Sequence, residues 1–136
     1  MDFNSGNQST SAAKKMYWAG VVVSVLPIGM LIFSAVMKLL RHEEVMKAFT
    51  RFEYPATTVV AIGIVELVCV IVYAIPQTSV LGAILLTGYL GGATATHVRI
   101  SDTFFATAGP VIFGVLVWLG LYLRDSRIRA LVPWRT

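Results

Sequence analysis

The sequence predicts an all-α fold: a four-helix transmembrane bundle with a short interfacial amphipathic helix between spans one and two. Three observations lead there. The 136 residues are 57% hydrophobic and only 13% charged, against about 25% charged in an ordinary soluble domain. Their mean hydropathy is +0.76. The apolar residues gather into four runs, at 17–40, 57–74, 79–98 and 103–123. Each is near the ~20 residues that cross a ~30 Å hydrocarbon layer.

Taken in order, the opening "MDFNSGNQSTSAA" is polar and poor in apolar residues, the composition of a disordered segment. Residues 1–15 are therefore expected to form a disordered polar tail, 16–124 the membrane domain and 125–136 a basic C-terminal tail. The first run is too long for a signal-peptide h-region and has no small-residue cleavage site. Between spans one and two, "RHEEVMKAFTRFEYP" carries Val45, Phe49 and Phe52 at i, i+4 and i+7, with Glu44, Lys47 and Arg51 between them. That spacing makes an apolar stripe on a short helix over 42–52, lying in the membrane interface. Pro55 marks the turn into span two. "IPQTS" is a tight uncharged turn, and "RISD" joins spans three and four.

Four spans put both termini on one face. That face holds Lys14, Lys15, Arg124, Arg127, Arg129 and Arg135, six cations against the five of Lys38, Arg41, Lys47, Arg51 and Arg99. The positive-inside rule then places the termini in the cytoplasm. The net charge of +4 is small and scattered; it excludes nucleic acid as a natural partner and suits anionic lipid headgroups. The single cysteine, Cys69, leaves no internal disulfide and no paired-cysteine redox motif. It reads as a buried apolar residue.

Span three is the most distinctive segment. Seven of the twelve residues in "GYLGGATATHVR" (88–99) are Gly, Ala or Thr. Gly88, Gly92 and Thr96 form one small row, and Gly91 and Ala95 a second. Such rows let helices approach closely in lipid, so span three is expected to be the most enclosed helix, packed within the chain or against a second copy. His97 and Arg99 follow in its last turn, where cations meet unpaired carbonyls. His97 shares a helical face with Ala93 and Tyr89, an arrangement that suits a cavity wall.

Glu66 is the strongest single signal. It lies nine residues beyond Thr57 in "AIGIVELVCVIVY", about 14 Å deep at ~1.5 Å per residue. A carboxylate at mid-bilayer costs roughly 2.5–3.5 kcal/mol, so it must face inward and be paired, hydrated or protonated. Lys38, at the end of span one and in a helical row with Ser34, is the candidate cation. Glu66 and His97 differ in depth by ~12 Å on the same helical rise. The expectation is therefore a polar cleft reaching down to Glu66, with Lys38, His97 and Arg99 at its mouth and the amphipathic loop as a roof.

"FSAVMKLL", "GIVELV", "GYLGGATATHVR" and "GLYLRDSRIRALVPWR" together resemble the DoxX-like family over nearly all of residues 16–134. The resemblance implies a four-helix transmembrane bundle in which Lys38, Glu66, His97 and Arg99 match recurrent polar positions. It also implies an association with quinone-linked redox chemistry, membrane redox assemblies or chaperone-like roles. No cysteine pair, haem-ligand pattern or recognisable metal site stands in the sequence.

Three functions follow as expectations. The first is a site for a quinone-like, lipid-soluble ligand serving a redox partner protein that owns the electron carrier. The chain itself then carries no cofactor beyond a bound quinone. In this reading Lys38, Tyr89 and Arg99 bind the ligand while Glu66 and His97 handle protons. The second is a cofactor-free enzyme with Glu66 and His97 as acid and base on an isoprenoid-like substrate. The third is an assembly or scaffold protein, in which the polar residues specify helix pairing or a homo-oligomer.

Overall fold

The computed structural model describes residues 3–132. Six α-helices run α1 Phe3–Leu39, α2 Glu43–Arg51, α3 Thr58–Ala74, α4 Ser79–Arg99, α5 Phe104–Arg124 and α6 Ser126–Leu131, with a single 3₁₀ turn at Pro76–Thr78. No strand occurs among the described residues. The all-helical expectation holds. Three segments are long and apolar enough to cross a membrane: Gly6–Leu39, Pro76–Arg99 and Phe104–Arg124. The α3 helix is equally apolar in character but has 17 residues, a little short of the usual span.

Two expectations at the ends of the chain differ from the structure. Residues 3–15, expected as a disordered tail, continue α1 at its start. The side chains of residues 7–15 are exposed, and a helix already nucleated in an apolar span extends through them at little cost. In the basic tail, Ser126–Leu131 forms α6, started by Asp125, whose side chain accepts from the Arg127 backbone N–H. The positions beyond residue 132 lie outside the described residues.

The four long helices close into a ring: α1 packs on α3 and α5, and α4 packs on the same two helices. At the end carrying the termini, the ring is filled. Leu31, Cys69, Val70, Tyr73, Ala83, Leu86, Val117, Leu121 and Ile128 form one buried cluster. The Tyr73 hydroxyl donates to the Val117 carbonyl at 2.7 Å and lies 3.1 Å from Ser24 Oγ, so the polar tip of that side chain is satisfied.

Close helix approach occurs in this half of the molecule, at glycines other than those expected. A Cβ on Gly82 would collide with the Tyr73 backbone, and one on Gly20 would stand 2.7 Å from the Arg124 backbone nitrogen. By contrast, a Cβ added to Gly88, Gly91 or Gly92 would meet nothing within 4 Å. Within the chain, the small rows of α4 therefore leave space instead of making contact. The most enclosed helix is α3, with six of its 17 residues buried against five of 21 in α4.

The outer surface is apolar. Val22, Leu26, Phe33, Ile64, Leu81, Phe104, Val111 and Ile112 are all exposed around the ring, a surface that water would not tolerate over such an area. Together with the three long apolar helices, this marks a membrane protein.

At the opposite end three helices stop without glycine. Arg41, Glu53 and Ser101 adopt left-handed φ values of 51°, 60° and 51°. Each is followed by a residue whose N–H reaches back five positions: His42 to Met37, Tyr54 to Phe49 and Asp102 to His97, each at 3.0 Å. These are Schellman closures, which satisfy carbonyls at the helix ends and fold the chain back over its own last turn. They place α2 across the end of the ring and Asp102 over His97.

Candidate functional site

The half of the ring beneath α2 is hollow. A cavity of about 710 Å³ opens between α1, α3, α4 and α5, with α2 and residues 52–54 above it. Its walls are mostly apolar, including Met30, Phe33, Ile62, Leu90 and Phe113. Gly88, Gly92 and Ala93 line it from α4, and their small or missing side chains are what leave the room. The apolar stripe of α2 does the rest. Phe49 is buried, Val45 and Phe52 are half-buried, and all three face the cavity. The stripe forms because Val45, Phe49 and Phe52 fall on one helical face. His42 caps α2, its Nδ1 accepting from the Glu44 N–H, and Glu43 and Glu44 suit the positive helix start.

The cavity brings together four of the five residues that the sequence marks out: Lys38, Glu66, Tyr89 and His97. Lys38 Nζ donates to Glu66 Oε2 at 2.8 Å and to Ser34 Oγ at 2.5 Å, and the Ser34 hydroxyl lies 3.3 Å from the same carboxylate oxygen. The lysine side chain is 13% exposed and the glutamate 2%. Lys38 thus reaches inward from the end of α1 to meet Glu66, where the sequence alone suggests a cation at the cavity mouth. The absence of a side chain at Gly63 permits this: a Cβ there would lie 2.9 Å from Lys38 Cβ. Tyr89, on α4, lines the same cavity as Glu66.

His97 is held from a different side. Its Nδ1 lies 2.7 Å from Asp102 Oδ2, which also accepts from Arg51 Nη2 at 2.9 Å. Asp102 Oδ1 accepts the Thr103 N–H at 2.8 Å. The His97 bond, the Thr103 N–H and the nearby Arg51 charge together hold the Asp102 carboxyl below the usual carboxylate range. The Phe52 ring meets the imidazole edge-on, with centroids 5.2 Å apart. Glu66 and His97 therefore have separate partners, and no direct bond joins them.

Arg99 is not on the cavity wall. It lies in an outward polar recess with Arg51, Glu53 and Asp102. There it donates to the Phe52 carbonyl, stands 3.8 Å from Glu53 Oε2, and stacks on Tyr54 with its Cζ 5.5 Å from the ring centre. Position 99 falls two residues past His97, about 200° around the helix at 3.6 residues per turn, so the two side chains diverge. Arg99 thus fastens the segment after α2 to the end of α4.

Sequence reasoning missed two members of the arrangement. Asp102 lies in the connection "RISD", and its pairing depends on Ser101 turning the chain back. Arg51 reads as part of the polar face of an interfacial helix, while the structure directs it to Asp102. The only sequence signal for either is an acid five residues after a histidine at a helix end.

No curated protein and no solved structure matches this chain. The family comparison does: residues 22–120, which take in α3, α4, the second half of α1, most of α5 and every polar residue of the cavity, match the model of the DoxX-like family. With its ring of apolar helices around a buried, paired glutamate, the chain belongs to the DoxX-like family.

Proposed function

We propose that this protein binds a lipid-soluble, quinone-like small molecule in the cavity beneath α2 and serves a membrane redox system through a partner that carries the electrons. The observation that carries this reading is an apolar cavity of about 710 Å³ with the Lys38–Glu66 pair in its wall. Ligand sites are typically concave spaces of about 300–1,000 Å³, apolar with a few convergent polar groups. A quinone ring with the first part of its tail fits such a volume. Lys38 and Tyr89 supply donors for its oxygens, His97 is a polar partner for the hydroxyl of its reduced form, and Phe49 and Phe52 exclude water. A bound quinone would supply the electron chemistry; this chain's residues bind it, orient it and exchange protons at its oxygens. Because Glu66 is engaged by Lys38 inside the same chain, its charge is compensated without a second copy, so this carboxylate gives no reason for a homo-oligomer.

The same reading takes α1, α3, α4 and α5 as four membrane spans with both termini in the cytoplasm. The apolar exterior of all four helices supports the spans, and the six-to-five excess of cations on the terminal face supports the orientation. Native mass spectrometry of detergent-purified protein tests the ligand. A co-purified apolar molecule that disappears in a Gly92→Leu variant, whose side chain would fill the cavity, is the expected result. Its presence in equal amount in both proteins would overturn the reading. For orientation, a Thr10→Cys, Cys69→Ser protein should be labelled by an impermeant thiol reagent only from the cytoplasmic side.

A further inference from the structure

We infer that Asp102 fixes His97 as a hydrogen-bond acceptor toward the cavity, so that the site selects an uncharged apolar ligand bearing a hydroxyl over the same ligand with that hydroxyl capped. This rests on the ligand-binding reading above and names the headgroup chemistry that the reading leaves open.

The starting point is the proton between His97 and Asp102. An ionised carboxylate has only lone pairs to offer. Asp102 spends them on three donors: Arg51 Nη2 at 2.9 Å, the Thr103 N–H at 2.8 Å and His97 Nδ1 at 2.7 Å. The hydrogen of the last bond therefore sits on Nδ1. A neutral imidazole carries one N–H, so Nε2 is left as a bare lone pair.

Next comes the direction of that lone pair. His97 lines the cavity, while Asp102 lines the outer recess with Arg51 and Arg99. The Nδ1 edge thus faces away from the cavity, and the rest of the ring, Nε2 included, is what His97 presents to a ligand. Among the described residues Nε2 has no hydrogen-bond partner.

The other polar groups complete the pattern. Lys38 has three N–H donors and spends two, on Glu66 and Ser34; one remains. Its charge is cancelled by Glu66 at 2.8 Å. An anionic headgroup would have to compete with Glu66 for Lys38 in a low-dielectric space, against like-charge repulsion. A neutral hydroxyl meets neither obstacle. It donates to His97 Nε2, while an oxygen of the same ligand accepts from Lys38 or from the Tyr89 hydroxyl. A ligand that offers only an ether or a carbonyl at that position, as an oxidised quinone does, puts lone pair against lone pair and leaves Nε2 unpaired, which is costly in a dry site, so the reduced, hydroxyl-bearing form of a quinone-like ligand is the one His97 favours.

The test is equilibrium binding of two probes, p-nonylphenol and its methyl ether, to the detergent-solubilised full chain by titration calorimetry. The phenol should bind about tenfold or more tightly than the ether, the size of one hydrogen bond in a desolvated site. In Asp102→Ala the imidazole proton is free to move to Nε2, and the ratio should fall toward one with the ether gaining affinity. A merely structural loss would weaken both probes alike. Equal binding of the two probes by the parent would overturn the inference and leave the cavity reading standing, as would full retention of the preference in Asp102→Ala. Binding of neither probe by the parent, or unchanged binding of both by Gly92→Leu, would overturn the inference and the cavity reading together.

Discussion

Lys38 Nζ, one residue from the end of α1, lies 2.8 Å from Glu66 Oε2, halfway along α3, with Ser34 Oγ bonded between them. Two charges that would each be costly inside an apolar ring are thereby stable only as a pair. Their position in the wall of the cavity ties the stability of the helix ring to the polarity of the site.

The first prediction follows from that mutual dependence. Glu66→Met leaves Lys38 without its counterion, and Lys38→Met leaves Glu66 without its own. Either change should cost about 3–5 kcal/mol, the usual penalty for breaking a buried pair from one side. The double variant Lys38→Met, Glu66→Met should recover most of the loss. Thermal unfolding in detergent of the three proteins gives the comparison. Additive losses in the double variant would mean the two side chains do not depend on one another.

The glycines give the second prediction. Gly82 sits against the Tyr73 backbone, while Gly92 faces open space. Gly82→Ala should therefore force α3 and α4 apart and cost several kcal/mol, beyond the ~1–3 kcal/mol usual for overpacking because the obstructing atoms are backbone. Gly92→Ala should be neutral or stabilising by about 0.5–1 kcal/mol, since Gly in a helix interior is less favourable than Ala by that amount. Melting temperatures of the two variants decide it. Equal losses would place both glycines at helix contacts.

These two glycines also explain what the sequence could and could not reveal. A small residue permits close approach and equally leaves a void; only the element opposite decides which. Nothing in the sequence marks Tyr73 as the residue that meets Gly82, or the space opposite Gly92 as empty. The helices were legible because apolar runs of span length have few alternatives in any solvent. Glu66 and Lys38 stood out because an intramembrane charge demands a partner. Asp102 and Arg99 escape such reasoning for a different cause. Their placement depends on Ser101 and Glu53 in left-handed conformation, where a glycine would ordinarily give the signal. The apolar face of α2 is visible in its spacing, and its role as a roof follows from where the Arg41 turn directs it.

The third prediction concerns pH. The Asp102 carboxyl is held low by its bond to His97, the Thr103 N–H and Arg51. Its folded pKa lies below the unfolded value of roughly 3.9. A depressed carboxyl contributes stability that is present above the unfolded pKa and is lost as pH falls through the folded one. The stability that Asp102 contributes relative to Asp102→Ala should thus shrink as the pH falls below about 4.5, the unfolded carboxylate pKa being roughly 3.9. Parallel pH titrations of unfolding midpoint report it. A difference that vanishes already near neutrality would show that Asp102 is not held ionised by these partners.

The last prediction is that α2 is a roof fastened by weak, separable contacts. Its apolar face covers the cavity through Phe49, which is 5% exposed. Its polar attachments lie at its C-terminal end: Arg51 to Asp102 at 2.9 Å, Tyr54 to Thr96 at 2.8 Å, and the Phe52 carbonyl together with the Glu53 carboxylate to Arg99. Exposed ion pairs contribute only about 0.2–1 kcal/mol, and a neutral hydrogen bond about 0.5–1.5 kcal/mol. Removing two of the three attachments in Arg51→Ala, Tyr54→Phe should therefore spare the fold. It should still shift the balance between closed and open roof by about 1.4 kcal/mol, or about tenfold. Arg41 and Glu53, at the two ends of α2, are the points about which it would turn. A cysteine at position 49 in a Cys69→Ser background makes the motion visible, because a buried thiol reacts only when the roof lifts. Its labelling by a water-soluble thiol reagent should run about tenfold faster in the double variant, with the unfolding midpoint little changed. Equal labelling rates in the two proteins would mean that the roof is held at position 49 by its apolar contacts alone and that these attachments do not control access to the cavity.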